Sequence, residues 1–163
     1  MTAKKSSEAA NTLITAAKAK AVRIATAESC TGGLVAAAIT AIPGASAVLE
    51  RGFVTYSNEA KTEMLGVPAE LIERKGAVSQ EVALAMVNGA LKHSRADIAV
   101  AITGIAGPDG GSEDKPVGLV HIATAKRGGA RLHEEHRFGD IGRNKVQSES
   151  AVAALAMLQK LLD

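Results

Sequence analysis

Segments with helical and strand patterning alternate along the chain and close on a strand pair, which predicts an α/β fold with a mixed sheet between helical layers. Two further observations support that class. The 163 residues suit one domain and leave little room for a second core. Hydrophobic residues make up 47% and charged residues 22%, so the chain can bury enough apolar surface to order itself.

Taken in order, residues 7–20 carry Leu13, Ile14 and Ala17 at the i, i+3, i+4 spacing of an amphipathic helix. Residues 22–27 form a short, partly β-branched run. After Glu28 the sequence Ser29-Cys30-Thr31-Gly32-Gly33 interrupts it, and residues 34–41 resume a helical, alanine-rich pattern stopped by Pro43-Gly44. A strand is expected over 48–56, with Gly52 inside it marking a bulge or a close backbone approach. Residues 58–65 predict a short helix that Asn58 could cap and Gly66 ends, and a second helix follows over 69–75. Ser79 reads as the N-cap of a helix running to about residue 93. Residues 97–103 form an apolar strand, and the glycine-rich stretch 104–111 is a loop. The runs 117–125 and 130–138, joined by Arg127-Gly128-Gly129, predict an antiparallel hairpin. Residues 143–162 predict a long closing helix.

Composition removes several classes of function. With aromatics at 2% and no tryptophan, binding that rests on base stacking is disfavoured. Nineteen Lys plus Arg against 17 Asp plus Glu gives a charge of +2, too small and scattered for a polyanion groove, so no nucleic acid partner is expected. Apolar runs such as 34–42 stop short of the roughly 20 residues that span a bilayer, so no membrane partner is expected. The single Cys30 cannot form an intrachain disulfide and the N-terminus has no signal-peptide pattern, which together predict a reducing, cytoplasmic setting.

In parallel sheets ligands gather at the carboxyl ends of the strands, where the 28–33 turn, the 56–61 segment and the 103–111 loop would all emerge. Ser29 sits where a strand hands over to a helix, with the N–H groups of Cys30, Thr31, Gly32 and Gly33 expected to face whatever occupies the turn. A nucleophilic serine needs a base. The histidines (93, 121, 133 and 136) lie outside the glycine-rich loops, and Lys61 is the available substitute if a dry cleft strips its charge. The plainer alternative makes Ser29 or Thr31 a helix cap and Lys61 a solvated residue. The 103–111 loop lacks the Gly-Lys-Ser/Thr of a P-loop, and is either an anion nest or a simple connection. Cys30 could be a nucleophile or a small buried hydrophobe. His133 and His136 fall on opposite sides of a strand, so a metal site is not expected.

The motifs Ala27-Glu28-Ser29-Cys30-Thr31-Gly32-Gly33, Val54-Thr55-Tyr56-Ser57-Asn58 with Lys61, Gly76-Ala77-Val78-Ser79, Thr103-Gly104-Ile105-Ala106-Gly107-Pro108 and Lys115-Pro116-Val117-Gly118 occur together in this order. In that order they resemble the CinA C-terminal domain family, whose enzymatic members are nicotinamide-nucleotide amidohydrolases. The resemblance runs from about residue 8 to the C-terminus. It implies a single-domain, three-layer α/β/α sandwich with a mixed, mostly parallel sheet, and deamidation of nicotinamide mononucleotide to nicotinate mononucleotide and ammonia, without metal or cofactor. By matching motif, Ser29 would be the nucleophile and Lys61 its base, with Tyr56 and Thr103 as orienting neighbours. Cys30, Thr31, Gly32, Gly33, Asn58, Gly104, Gly107 and Arg143 would bind substrate. The sequence departs from the family pattern near the last helix: two residues, Ile141 and Gly142, separate Gly139-Asp140 from Arg143, and Gln147 stands where a second arginine is common.

Rival readings are a noncatalytic nucleotide-binding module and, further off, a metal hydrolase using the histidines. Apolar helix faces in an alanine-rich chain also predict a homodimer, through residues 13, 14 and 17 or through the last helix.

Overall fold

The computed structural model describes residues 2–163. Its elements are α1 (Thr2–Ala19), β1 (Ile24–Glu28), α2 (Leu34–Thr40), a 3-10 turn (Ala45–Ala47), β2 (Leu49–Val54), α3 (Asn58–Leu65), α4 (Ala69–Lys75), α5 (Gln80–Lys92), β3 (Ile98–Gly104), β4 (Leu119–Lys126), β5 (Arg131–Arg137) and α6 (Arg143–Leu162). The strands form one sheet in the order β2-β1-β3-β4-β5. β1 pairs in parallel with β2 and β3, while β3–β4 and β4–β5 are antiparallel. Four strands therefore run one way and β4 runs against them. Because β4 interrupts the run, the pairings divide evenly, and the expectation of a mostly parallel sheet holds for strand direction but not for the ladder.

Alternation along the strands sorts the core into two halves, as a period of two requires. Ile24, Ile98, Val100, Ile102, Val120 and Ile122 face α1, α2 and α6. Ala25, Ala27, Ala99, Ala101, Ala123 and Ala125 face α5, with α3 and α4 packed beyond. The second face is lined by alanine, so α5 can lie close to the sheet. Gly89 of α5 brings α3 equally near: a Cβ there would sit 2.0 Å from the Leu65 carbonyl oxygen. That contact holds the helix that carries Lys61.

Leu13, Ile14 and Ala17 are buried in the core shared with α6. The stripe expected to serve a second copy is thus covered within the monomer, as is the buried face of α6 through Leu155, Leu158 and Leu162. Ser57, rather than Asn58, caps α3 by accepting the Ala60 N–H at 3.0 Å. No helix is long and apolar enough to cross a membrane among the described residues.

The parallel register aligns Glu28 with Val54 on one side and Ile102 on the other, so β1 and β2 end together and β3 runs two residues further at the same edge. The turn after β1, the segment after β2 and the loop after β3 meet at that edge.

Candidate active site

A cavity of about 250 Å³ opens there, lined by Ser29 and Cys30 from the first turn, Tyr56, Asn58 and Lys61 from the second segment, and Thr103, Gly104, Ile105, Ala106, Gly107, Asp109 and Gly110 from the third. Ala77, Val78 and Arg143 complete it. A larger groove of about 460 Å³ lies against α3 and α4, but its lining, which includes Glu59, Thr62, Glu63 and Glu73, holds no lysine, histidine or arginine to act as a base or to meet an anion. Chemistry, not size, selects the smaller cavity.

Lys61 is 1% exposed, although the sequence places it one turn into a short, polar helix. Its Nζ lies 3.1 Å from Ser29 Oγ and 3.1 Å from the Thr55 carbonyl, with the Tyr56 and Ser57 carbonyls at 3.4 and 3.5 Å. None of these partners carries a charge. Burying an unpaired ammonium costs several kcal/mol, on the order of the gain from two or three charge-assisted hydrogen bonds. Burial accordingly pushes the Lys61 pKa below the ordinary lysine range, and the Glu59 charge opposes the shift only in part. A lysine so placed can accept the serine proton, and its short contact with Oγ is the geometry a base requires.

Ser29 is itself buried, and its N–H donates to the Ile102 carbonyl at 2.9 Å, which anchors the turn to β3. Gly32 (φ +57°) and Gly33 (φ +109°) let the chain reverse into α2, a conformation L side chains rarely adopt. The turn is closed in a way the sequence did not announce. Glu28, the last residue of β1, is fully buried and its carboxylate accepts from the Thr31 hydroxyl at 2.7 Å, the Val35 N–H at 2.9 Å and the Ala36 N–H at 3.1 Å. The N-terminus of α2 is occupied by the chain's own anion. Thr31, Gly32 and Gly33 accordingly lie outside the cavity lining, and the Gly32 N–H is taken by the Ser29 carbonyl at 3.0 Å. The Ala106 and Gly107 N–H groups, in the loop after β3, make no hydrogen bond to the chain among the described residues.

Cys30 lines the cavity yet packs into the core, and its thiol is pushed up to about 12, chiefly by burial with the Glu28 charge adding to it. A thiol held neutral is a poor nucleophile. Thr103 is buried and donates to the Ala77 carbonyl at 2.9 Å. Tyr56 is largely exposed at the mouth, where its hydroxyl accepts from Arg143 Nη2 at 2.6 Å. Arg143 Nη1 donates to the Gly107 carbonyl at 2.7 Å, and Gln147 Nε2 to the Cys30 carbonyl at 3.0 Å. Arg143, set two residues later than in the family pattern, and Gln147, which replaces a common arginine, thus both touch residues of the site.

The histidines sit elsewhere. His121 Nδ1 is 2.9 Å from His133 Nε2 on one face of the hairpin, and His136 meets Glu134 on the other. Burial lowers the His121 and His133 pKa values. No group of three or more His, Cys, Asp or Glu is placed to hold a metal among the described residues.

A sandwich of this topology, with a serine and a buried lysine at the ends of its parallel strands, has close counterparts among known proteins. The CinA C-terminal domain family model matches residues 6–162, and the chain belongs to that family. It is 54% identical over 144 residues to the nicotinamide-nucleotide amidohydrolase PncC of Escherichia coli K12, covering 88% of this chain and 86% of that one. The CinA-like protein of Geobacter sulfurreducens is 48% identical over 95% of this chain, which spans only 38% of that relative's length. The chain likewise spans about a third of three further relatives, two from Caldicellulosiruptor and one from Symbiobacterium, that it matches at 48–51% identity. Among solved structures, the competence/damage inducible protein CihA of Agrobacterium tumefaciens superposes with a TM-score of 0.96 at 53% identity, covering 98% of this chain and 96% of that one. A CinA superfamily protein of Klebsiella pneumoniae gives 0.91 at 38% identity, with 96% and 97% covered.

Proposed function

We propose that this protein is an amidohydrolase that converts nicotinamide mononucleotide to nicotinate mononucleotide and ammonia. The observation that carries the reading is the 3.1 Å contact between Ser29 Oγ and a buried Lys61 Nζ that has no counter-ion among the described residues. The identity to the amidohydrolase PncC supports the substrate class.

An amide is a poor electrophile, so the reaction divides into two acyl transfers. Neutral Lys61 takes the proton from Ser29 as Oγ attacks the carboxamide carbon. The resulting oxyanion is met by main-chain N–H groups at Cys30, Ala106 and Gly107, where one such donor is worth about 3 kcal/mol of barrier. Lys61 then returns its proton to the amide nitrogen, the C–N bond breaks and ammonia leaves. Water, deprotonated by Lys61, cleaves the ester, and the proton returns to Ser29. Thr103 braces the wall through Ala77, and Tyr56 fixes Arg143.

The phosphate belongs at the other side of the cavity. α6 begins at Arg143 with Gly142 as N-cap, no side-chain cap and no acidic residue in its first turn, so its positive end is free for an anion. Arg143 supplies the fixed charge, and Asn58 and Gly104 line the span between.

The reading also takes the enzyme to be cytoplasmic, free of metal and cofactor, and a homodimer. Exposed Leu34, Val54 and Ile141 support the last point, and a concentration-independent mass near 16.6 kDa by light scattering would remove it. The test of function is ammonia release from nicotinamide mononucleotide by the purified, chelator-dialysed protein. Release confirms the reaction. Binding of the nucleotide without release returns the protein to the class of binding modules, and loss restored by zinc points to the histidines.

A further inference from the structure

Among the described residues Glu28 is the one fully buried carboxylate, and every partner of its side chain there is neutral: one hydroxyl and two main-chain N–H groups. Capping alone does not call for this. A serine or threonine at the N-cap satisfies the first turn of a helix without taking a charge out of water, and the N-cap position here is a bare glycine. The carboxylate comes instead from the strand, seven and eight residues before the N–H groups it accepts. The arc it closes, residues 28–36, contains Ser29.

The same residue also reaches the other half of the dyad. Its carbonyl accepts the Thr55 N–H at 2.9 Å, and the Thr55 carbonyl in turn accepts Lys61 Nζ at 3.1 Å. One residue therefore holds the nucleophile through its side chain and the lysine through its main chain.

We infer that Glu28 is the positioning residue of this site: by clamping Thr31, Val35 and Ala36 it locks the turn that sets Ser29 Oγ against Lys61 Nζ. The inference rests on the amidohydrolase reading, though its test does not depend on that reading alone. A nucleophile displaced by about 1 Å loses up to about 10²-fold in rate, which sets the scale of the effect.

The test compares wild type with Glu28→Gln, which keeps the size but offers one acceptor oxygen to two N–H groups. Four quantities are read: kcat, KM, the melting temperature, and the rate at which a fluorophosphonate probe labels Ser29. The expected result is a protein folded at assay temperature, with KM within about threefold and with kcat and labelling rate falling together by about ten- to a hundredfold. A folded Glu28→Gln protein with wild-type kcat and labelling overturns the inference, as does a loss confined to KM. If Glu28→Gln does not fold, Thr31→Val decides, since it removes one clamp partner and leaves both main-chain bonds. A drop in labelling of about two- to fivefold supports the inference, and an unchanged rate overturns it. Wild type that is labelled at Ser29 yet releases no ammonia sinks the amidohydrolase reading, while the labelling rates still judge Glu28.

Discussion

Two helices start at the edge of the cavity, and their first turns are finished in opposite ways. α2 begins at a glycine, and its free N–H groups are consumed by the buried Glu28 carboxylate. α6 also begins at a glycine, but nothing caps it and its first residue is Arg143. A helix N-terminus attracts anions wherever its donors are left open. Here the end nearest the nucleophile is closed by an internal anion and the far end is open. The difference gives the cavity a direction. On the proposed function, chemistry belongs where the backbone is locked, and the substrate's charged group where the donors are free.

The comparison breaks most sharply at the locked end. Ser29→Ala should lower ammonia release by about 10³-fold or more, whereas Cys30→Ala should retain most activity because its thiol is buried and held protonated. The reverse pattern would move the nucleophile by one residue and undo the mechanism.

Lys61 comes next. Removing a general base typically costs about 10²- to 10⁴-fold, and Lys61→Arg should fall in that range with Lys61→Ala, since a guanidinium cannot give up its proton. The pH profile follows from the direction of its shift. Burial lowers the Lys61 pKa, so the neutral, active form grows as pH rises, and kcat/KM should climb through a pKa below the ordinary lysine value of 10.5 before levelling. A profile flat across that range, or an active arginine variant, would make the lysine a charge rather than a base.

At the open end the effect should be smaller and of a different kind. Arg143→Ala should raise KM for nicotinamide mononucleotide by about ten- to a hundredfold with kcat within about threefold, and should change little with the unphosphorylated riboside. An equal loss on both substrates would place Arg143 in the chemistry and erase the division between the two ends. Tyr56→Phe should give the smallest change, about two- to fivefold in KM, because it removes only the exposed hydroxyl that steadies Arg143.

The same contrast explains what the sequence discloses. Elements governed by local rules are legible: α3, α4 and α6 fall at 58–65, 69–75 and 143–162 as their glycine stops and apolar spacing require, and Ser79 caps α5 as its position indicates. Neighbouring capping residues are harder, since both Ser57 and Asn58 suit the role and only the backbone shows that Ser57 takes it. The meeting of Ser29, Lys61 and the 103–111 loop follows from parallel strands ending at the same edge. The closure of α2 escapes any local rule, because the cap lies on the preceding strand and the N-cap residue has no side chain. Hence two groups that by position look like donors to a ligand are engaged within the turn, the Thr31 hydroxyl by Glu28 and the Gly32 N–H by the Ser29 carbonyl. The covering of α1 by α6 is likewise invisible in either stripe read alone, because an apolar face shows that it will be buried but not by what.

The central claim, a covalent route through Ser29 driven by a neutral Lys61, is tested most directly by trapping the intermediate. Wild-type protein is mixed with nicotinamide mononucleotide, quenched in acid during turnover, and digested for mass spectrometry. The account predicts an acyl ester of the nicotinate moiety on Ser29, sensitive to hydroxylamine and absent from Ser29→Ala. Sustained ammonia release with no adduct, or an adduct on Cys30, would contradict it.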